Sequence, residues 1–449
     1  MLRSLDDLDR LSEMLLDRER SPAFHAGRRR LSLAPMRRLY AALGHPLDRI
    51  AAVHVAGSKG KGSVCLFLES LLRVQGVRTG LYLSPHVDSW LERIKVCGRS
   101  LSSVRFLDAM NQVAAVGQRL GLPPPSLFEW LTAAAFVVFE RSKVEVAVVE
   151  VGIGGRLDAT NVIRPEVCVL TAIEREHEAI LGRTLCRIAQ EKAGIIKPGV
   201  HVISGLRKSE QAARVVEDVA RQCAAPLSEW GDEIRLKAKG RRFELTLARV
   251  PAASFREPEG GSHAARNAAL ALAALWQLGR RRTDLQIQWR AALLSRGIRQ
   301  ARLKGRAERI GARPVVYRDG AHTPRSIEGI IDWVRRRHPR SRLAVVLGLN
   351  RDKRIRECLE GLKGRIGLLV ATNVPSSRSL AATELAARAR GMGFETRAVD
   401  SPRQALRAAR TWAGKGGCVL VTGSFWLVGL FKVSRDRLSA RLVRRQKPE

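Results

Sequence analysis

A loop rich in glycine and lysine is the first candidate site, because its residue types suit phosphate binding. The stretch GSKGKGS (57–63) follows an apolar run and precedes a helical pattern. Glycines let backbone N–H groups approach a phosphate, and the amino end of a helix adds partial positive charge. Lys61 would reach the outer phosphates of a nucleotide, and Ser63 would offer its hydroxyl to Mg²⁺. Gly62 separates these two residues, unlike a standard Walker A motif, so an ordinary strand-to-helix connection is the alternative.

A second group of polar residues lies in EVGIGGRLDATNV (150–162). Glu150 ends an apolar run that predicts a buried strand, where an unpartnered carboxylate is costly. The glycine-rich turn that follows leads to Arg156, Asp158, Thr160 and Asn161. A hard cation held by the Glu150 carboxylate explains this pattern. The alternative is a carboxylate neutralised by a nearby arginine.

Two further candidates follow the next apolar run. His177, in TAIEREHEAILG (171–182), is either a surface histidine among acids or a ligand at the same sheet edge as Glu150. Lys192, in QEKAGIIKPG (190–199), lies at the end of a predicted helix among apolar residues. Such a half-buried lysine indicates either a salt bridge or an unusual chemical state.

These candidates lie on a repeated strand–turn–helix pattern. Continuous apolar runs are typical of strands buried on both faces of a parallel sheet, and they occur at 49–57, 144–152 and 166–173. Residues 229–262 alternate like an antiparallel hairpin, and 263–279 predict a helix that ends at Gly279. A second strand–helix series covers 314–318, 342–348, 366–372, 394–399 and 418–423. We therefore predict an α/β protein with two doubly wound sheets, in domains 1–299 and 300–449.

Composition limits the function classes. The chain has 449 residues, of which 45% are hydrophobic and 27% charged, and 79 Lys+Arg against 43 Asp+Glu give a net charge of +36. Such a charge attracts nucleic acid, anionic membranes or acidic small molecules. The positive residues are scattered and lack interleaved aromatic residues, so a solvated basic surface is the favoured interpretation. Seven dispersed cysteines, no signal-like segment and no membrane-length apolar run predict a reduced cytoplasmic protein.

Six ordered motifs together resemble a known family. They are GSKGKGS, SPH (84–86), FEWLTA (128–133), EVGIGGRLDATN, EKAGIIKPG (191–199) and DGAH (319–322). The chain resembles the folylpolyglutamate synthase/dihydrofolate synthase family, within the Mur ligase superfamily, from about residue 28 to about 433. The resemblance implies an N-terminal P-loop-type ATPase domain with a mostly parallel sheet plus a small antiparallel portion. It also implies a C-terminal Rossmann-like α/β domain.

The resemblance assigns roles to matching positions. It implies nucleotide binding by Gly57, Ser58, Lys59, Gly60, Lys61, Gly62, Ser63, Asn267, Arg306, Asp319 and His322. The implied metal ligands are Ser63, Ser84, Glu150, His177 and, if carbamylated, Lys192. The implied substrate-binding residues are Ser84, Pro85, His86, Phe128, Arg156, Asp158 and Thr160. Lys61, His177 and Lys192 are the implied catalytic residues.

The implied activity is an ATP-dependent amide ligation. L-Glutamate would be added to dihydropteroate, to (poly)glutamylated tetrahydrofolate, or to both, through an acyl phosphate, with release of ADP and phosphate. ATP and Mg²⁺ are expected, with a monovalent cation as a further candidate. We expect a monomer that acts on small molecules, without a membrane or nucleic-acid partner. The alternatives are a paralogous ligase for another amino acid and carboxylate, or a non-catalytic nucleotide- or nucleic-acid-binding derivative.

Five positions depart from the common family pattern. Ser58-Lys59 replaces Thr-Asn, Glu176 replaces Asp before His177, Lys304 replaces Pro, and Thr323 replaces Asn after DGAH. The departures leave the nucleotide and metal chemistry in place but bear on the choice of substrate.

Overall fold

Two compact units make up the chain. The structure, a computed structural model, describes residues 1–20, 32–122 and 126–431. The first unit comprises Met1–Pro258 and Ala264–Arg302, and the second comprises Glu259–His263 and the chain from Leu303 onwards. The sequence predicts a domain boundary between residues 299 and 300, and the two units divide after Arg302. The short segment Glu259–His263 also belongs to the second unit, which the sequence did not indicate.

The first unit is built on an eight-stranded sheet with the order β4-β3-β2-β5-β1-β6-β7-β8. The central strands are parallel, whereas β3 and β4 pair antiparallel at one edge. Strands β1, β5 and β6 are buried along their whole length, as their continuous apolar runs predict. The strands are β1 (Ala51–Ala56), β2 (Thr79–Tyr82), β3 (Ile94–Val96), β4 (Arg99–Ser100), β5 (Val146–Glu150), β6 (Val167–Leu170), β7 (His201–Ser204) and β8 (Leu227–Glu229).

Helices cover this sheet. One buried apolar cluster packs α1, α2, α4 and α5 against it, and another packs α7 and α8 against it. Ser126 begins α5 as a capping box with Glu129, and Thr184 caps α7. The helices are α1 (Leu5–Arg20), α2 (Ala34–Ala42), α3 (Lys61–Arg73), α4 (Ser103–Arg119), α5 (Leu127–Arg141), α6 (Glu178–Leu181), α7 (Leu185–Ala193), α8 (Gln211–Gln222), α9 (Gly261–Arg281) and α10 (Ala291–Gln300).

A small antiparallel sheet follows in the first unit. It contains β9 (Ile234–Lys239), β10 (Arg242–Leu247) and β11 (Ala253–Arg256), in the order β11-β10-β9. The predicted hairpin at 229–262 is therefore a three-stranded sheet. The prediction that the next helix ends at Gly279 is wrong, because α9 continues to Arg281.

The second unit has a six-stranded sheet with the order β12-β13-β17-β14-β15-β16. All of its pairs are parallel except β12–β13, and its buried cluster joins the sheet to α11, α12 and α13. The strands are β12 (Glu308–Ala312), β13 (Val315–Arg318), β14 (Leu343–Leu347), β15 (Leu368–Ala371), β16 (Thr396–Ala398) and β17 (Cys418–Thr422). The helices are α11 (Pro324–Arg337), α12 (Ile355–Glu360), α13 (Ala382–Gly391), α14 (Pro402–Ala413) and α15 (Phe425–Gly429).

The predicted fold class is confirmed: both units are α/β, one with a mostly parallel sheet plus an antiparallel portion and one Rossmann-like. Parallel strands bring the loops at their carboxyl ends to one edge of each sheet, where ligands bind in such folds. In the part of the chain that the structure describes, no helix combines the length and apolar character needed to cross a membrane.

Candidate active site

The glycine- and lysine-rich loop joins β1 to α3. Gly60 adopts a left-handed conformation with φ +96° and caps the helix that starts at Lys61. A Cβ on Gly60 would lie 2.5 Å from Asn267 Oδ1, and one on Gly57 would lie 1.9 Å from Thr171 Oγ1. The loop is therefore shaped around glycine, and Asn267 from α9 lies directly against it. This geometry fits a phosphate cradle.

Ser58 fastens this loop to the segment after β6. Its N–H donates to the carbonyl of Ala172 at 2.7 Å, and its hydroxyl donates to the carbonyl of Glu174 at 3.0 Å. The Glu174 N–H donates back to the same hydroxyl at 3.0 Å. The Ser58 side chain thus holds the loop in place, so any contribution of its hydroxyl to nucleotide binding is indirect.

Two lysines converge on one backbone oxygen of the loop. Lys61 Nζ donates to the carbonyl of Gly57 at 2.9 Å, and Lys192 Nζ, from α7, donates to the same carbonyl at 3.1 Å. Lys192 is 1% exposed and forms an ion pair with Glu176 at 2.9 Å. The salt bridge expected as one of two alternatives for Lys192 is therefore present.

The charges of this group shift its acid–base properties. Burial lowers the pKa of Lys192, while Glu176 opposes that change and Lys61 adds to it. Burial alone would raise the pKa of Glu176, but Lys192 and Lys61 outweigh it and lower the pKa. Glu176 is consequently held as a carboxylate between lysines, beside the phosphate loop.

Glu150 lies at the other side of the loop. It ends β5, is 3% exposed, and its Oε2 accepts a hydrogen bond from the Ser84 N–H at 2.9 Å. A Cβ on Gly62 would lie 3.3 Å from the same oxygen, so the carboxylate faces the start of α3, next to Ser63. Carboxylate and hydroxyl oxygens are hard donors suited to Mg²⁺. These residues fit a magnesium ion.

His177 follows β6 on an exposed loop. It has φ +48° and precedes α6 as its N-cap residue. The described residues contain no group of three or more His, Cys, Asp and Glu side chains arranged around one metal position. Mg²⁺ commonly completes its shell with water and substrate phosphates, so the predicted set with one carboxylate does not require such a group.

The 150–162 loop is held from within. The buried Asp158 carboxylate accepts from the N–H groups of Gly152 and Ile153 at 3.0 Å, and from the hydroxyl of Thr160 at 2.5 Å. Burial raises the pKa of Asp158, against the effect of these hydrogen bonds. Thr160 is fully buried and bonded to His54 Nε2 at 2.8 Å. Asp158 and Thr160, predicted as substrate-binding, therefore shape the loop from inside.

Arg156 is exposed, unlike Asp158 and Thr160 of the same loop. Its guanidinium pairs with Glu191 at 2.8 Å, one residue before Lys192. Its backbone N–H donates to the Glu191 carbonyl at 2.7 Å. The loop is thus joined to the end of α7, which brings Arg156 and Lys192 to neighbouring positions.

The SPH segment and Phe128 form a third side of the site. Arg93 Nε donates to His86 Nδ1 at 3.0 Å, and the rings of His86 and Trp90 lie 4.4 Å apart. Burial, followed by Arg93, lowers the pKa of His86 to about 4. His86 is therefore neutral, with its remaining proton on Nε2. Ser84 and Pro85, joined by a cis peptide bond, directly precede it.

Phe128 lies at the start of α5 and contacts the 150–162 loop. Its ring is 5.9 Å from that of Tyr82, and a Cβ on Gly152 would lie 2.5 Å from its Cζ. The half-buried ring thus packs where the loop leaves Glu150. This arrangement provides an apolar wall of the kind that an aromatic ligand requires.

In the second unit, the predicted residues gather at the carboxyl end of β13. Asp319 accepts from the N–H groups of Ala307 and Ala321 at 2.7 and 2.8 Å, and burial raises its pKa. The guanidinium of Arg306 lies 5.0 Å above the Phe425 ring, and the His322 ring lies 6.3 Å from it. Arg306, Asp319 and His322 are therefore grouped around one aromatic ring.

Sequence reasoning missed several residues of these sites. Glu176 was noted only as a departure from the family pattern, yet it is the partner of Lys192. Arg93 and Trp90 were missed as partners of His86, and Phe425 as the ring beside Arg306. Thr323 is the N-cap residue of α11, where it contacts Ser326 at 2.9 Å. Glu176 and Phe425 each follow a parallel strand, and this position in the chain could have identified them as candidates.

The chain is similar to known proteins over most of its length. A family described as "Mur ligase, glutamate ligase domain" matches residues 305–425. A dihydrofolate synthase/folylpolyglutamate synthase of Bacillus subtilis (strain 168) is 32% identical over 409 residues, which cover 88% of this chain and 93% of that protein.

Solved structures extend the similarity over nearly all of the chain. E. coli FolC in complex with DHPP and ADP superposes with a TM-score of 0.81 at 28% identity, covering 97% of this chain and 98% of that one. A bifunctional folylpolyglutamate synthase/dihydrofolate synthase with Mn, AMPPNP and L-glutamate bound superposes with a TM-score of 0.78 at 26% identity. That match covers 90% of this chain and 94% of the other.

Proposed function

The chain belongs to the folylpolyglutamate synthase/dihydrofolate synthase family, and on that premise we propose that it is an ATP-dependent ligase that adds L-glutamate to dihydropteroate, to (poly)glutamylated tetrahydrofolate, or to both. The observation that carries the proposal is the group formed by Lys61, Lys192 and Glu150 around the phosphate loop. Two cations and one buried carboxylate at the amino end of a helix suit a nucleoside triphosphate with its divalent metal ion.

The reaction proceeds in two steps. A carboxylate oxygen of the pterin substrate attacks the γ-phosphorus of ATP, the bond to the β-phosphate oxygen breaks, and ADP leaves with an acyl phosphate formed. The amine of glutamate then attacks the acyl carbon, loses a proton, and expels inorganic phosphate, which leaves an amide. Lys61 stabilises the negative charge that develops on the transferring phosphoryl group. Lys192, held by Glu176, adds a second positive charge beside the same loop.

The residues that would hold Mg²⁺ are Ser63, Ser84, Glu150 and His177. When bound, the ion offsets charge on the phosphate oxygens and orients them. The protein's own contribution is the buried Glu150 carboxylate, which the Ser84 N–H keeps aimed at the start of α3. If Lys192 were carbamylated, its side chain would carry a negative charge and could bind a metal ion. It would then no longer form the ion pair with Glu176.

The pterin ring would lie against the SPH segment and Phe128. Arg93 Nε donates to His86 Nδ1, which orients the imidazole ring beside Trp90. A heterocyclic ligand can stack on the aromatic face that Phe128 provides.

The incoming glutamate would bind at the carboxyl edge of the second unit's sheet. Asn350 follows β14, is buried, and its Oδ1 accepts no hydrogen bond from any described residue. The Arg351 N–H donates to the Arg378 carbonyl at 2.9 Å, so these two arginines follow β14 and β15 side by side, with Lys353 on the same turn. The Asn350 oxygen could accept a hydrogen bond from the ammonium group of glutamate, and the neighbouring cations could bind its two carboxylates.

The direct test is a paired acceptor assay. Purified protein is incubated with ATP, Mg²⁺ and glutamate, and with either dihydropteroate or tetrahydrofolate, and ADP and product mass are measured. We expect a glutamylated product from at least one acceptor, in step with ADP. Absence of product from both would refute the proposal. ADP release with another carboxylate or amino acid would instead indicate a paralogous ligase, and a protein that binds nucleotide without turnover would indicate a non-catalytic derivative.

A further inference from the structure

A fully buried arginine precedes the DGAH motif. Arg318 is the last residue of β13 and is 0% exposed. Burying a guanidinium carries a large desolvation penalty, and apolar replacements of buried ion pairs are often neutral or stabilising. Stability alone therefore gives little reason for an arginine at this position, and its contacts suggest another.

The guanidinium binds two separate segments. Its Nε donates to Glu308 Oε2 at 2.9 Å, and one of its terminal nitrogens donates to the carbonyl oxygens of Val428 and Phe431 at 3.0 and 2.8 Å. Glu308 begins β12, whereas Val428 and Phe431 lie at and just beyond the end of α15. A planar guanidinium presents its donors in a fixed fork, so it holds both segments in one defined geometry, whereas a lysine ammonium is a single point charge on a flexible stem.

Glu308 extends the connection to the turn that contains Arg306. The same Oε2 accepts from the Gly305 N–H at 2.7 Å, and the Gly320 N–H donates to the Gly305 carbonyl at 2.8 Å. The turn at 303–307 is thus tied both to Arg318 and to the DGAH loop.

The α15 contacts fix the aromatic ring beside these residues. Phe425 starts α15, and a Cβ on Gly320 would lie 2.4 Å from its ring, so ring and loop are in close contact. The Arg306 guanidinium lies over the same ring, 5.0 Å from its centroid. Holding the end of α15 therefore holds the surface on which the Arg306 guanidinium rests.

We propose that Arg318 is a positioning residue for nucleotide binding, which sets Arg306, Asp319 and His322 relative to one another through Glu308 and α15. The inference rests on the proposed function and on the nucleotide-binding roles that the family resemblance implies for those three residues. Functional side chains need such support, because small displacements of a binding group weaken its interactions strongly.

The test compares Arg318→Met, Arg318→Lys and Glu308→Gln in the full chain. Arg309→Met serves as the control, since Arg309 is exposed on the adjoining strand. Dissociation constants for ADP with Mg²⁺ are measured by titration calorimetry, and KM for ATP and for the pterin acceptor by steady-state kinetics. Circular dichroism and thermal melting verify folding.

We expect R318M to raise the ADP dissociation constant and the KM for ATP at least tenfold, with the pterin KM within twofold of the parent's. R318K should recover part of the affinity, and R309M should match the parent. A merely structural role would lower the active fraction, and hence kcat, without moving the KM for ATP. Folded R318M with unchanged ADP affinity would overturn the inference.

If R318M does not fold, E308Q decides the question. It keeps the contacts of Arg318 with α15, and we expect it to weaken ADP binding at least threefold; unchanged affinity would overturn the inference. A parent protein that binds no ADP would refute the proposed function and the inference together. A parent that binds ADP, with variants that bind equally well, would refute the inference alone.

Discussion

Lys61 and Lys192 donate to a single oxygen atom, the carbonyl of Gly57, at 2.9 and 3.1 Å. They come from different helices, α3 and α7, and meet where the phosphate loop begins. Two ammonium groups this close repel each other, and Glu176 offsets part of that repulsion. A polyphosphate placed in the cradle would relieve the rest, which is why we regard this point as the centre of the site.

The first prediction concerns Lys61. K61A should lower kcat at least about a hundredfold, because the transferring phosphoryl group loses a preorganised positive charge. The melting temperature should stay close to the parent's, since the Lys61 ammonium donates to a backbone carbonyl and its removal also relieves repulsion of Lys192. ADP formation is measured, with the exposed Lys415→Ala as a charge-matched control. Near-parent turnover of K61A would contradict the phosphate-loop assignment.

The second prediction compares two glycines that have similar φ angles. Gly60 has φ +96° with Asn267 in contact, whereas Gly76 has φ +87° and nothing within 4 Å of an added Cβ. G60A should weaken nucleotide binding about tenfold or more through displacement of the loop, whereas G76A should show only backbone strain of about 1 kcal/mol. Nucleotide titration and urea unfolding measure the two effects. Equal ADP affinities for G60A and G76A would show that the contact with Asn267 is unimportant.

The third prediction concerns the Glu176–Lys192 ion pair. E176Q should lower the free energy of unfolding by about 3 kcal/mol, because it leaves a buried ammonium group unpaired. The double variant E176Q/K192M should be close to the parent in stability, since an apolar replacement of a buried pair is often neutral. Both variants should lose activity. A stability change in E176Q below about 0.5 kcal/mol would show that the pair is not formed in solution.

The fourth prediction is a pH dependence of stability from His54. Burial, with a smaller effect of Lys197, lowers the pKa of His54 to about 3 in the folded chain, against an ordinary value of 6.5. Between these values the unfolded chain binds one more proton, so stability should fall as the pH drops below 6.5. The slope from this residue is about 1.4 kcal/mol per pH unit.

Urea unfolding at several pH values between 6 and 4.5 measures the slope for the parent and for H54Q. The variant should be less stable at pH 7, because it disturbs the contact with Thr160, but its stability should depend less steeply on pH. Identical slopes would mean that His54 is not buried as a neutral ring.

The fifth prediction concerns Asn350. N350A should raise the KM for glutamate about tenfold, the effect of losing one hydrogen bond to a charged group, while the KM for ATP stays within twofold. Arg354→Ala, an exposed change on the following turn, is the control. An unchanged KM for glutamate in N350A would exclude this residue from the amino-acid subsite.

Much of the fold followed from the sequence because parallel strands buried on both faces leave an unmistakable apolar run. The runs before Gly57, at 144–152 and at 166–173 became β1, β5 and β6. The edge strands β3, β4 and β12 were missed, because they are partly exposed and therefore lack the continuous apolar run of a strand that is buried on both faces.

The site was predictable only in part. Chain position at or after a strand marked Glu150 and His177, because the carboxyl ends of parallel strands share one edge, whereas Asp319 was marked only by the family resemblance. Pairings between distant segments were not readable from the sequence: Glu176 with Lys192 spans 16 residues, and Arg318 with Val428 spans 110. An arginine is usually exposed, so nothing in its local sequence indicated the complete burial of Arg318.

The most direct test of the proposed function is an isotope-labelling experiment that follows a carboxylate oxygen of the acceptor. The pterin acceptor, labelled with ¹⁸O in its carboxylate, is incubated with the protein, ATP, Mg²⁺ and glutamate, and the released phosphate and the product are analysed by mass spectrometry. Ligation through an acyl phosphate predicts that each glutamylated product is accompanied by one inorganic phosphate that contains one ¹⁸O from the acceptor. Glutamylated product with unlabelled phosphate would contradict the acyl-phosphate mechanism, and ADP release without any glutamylated product would contradict the ligase function itself.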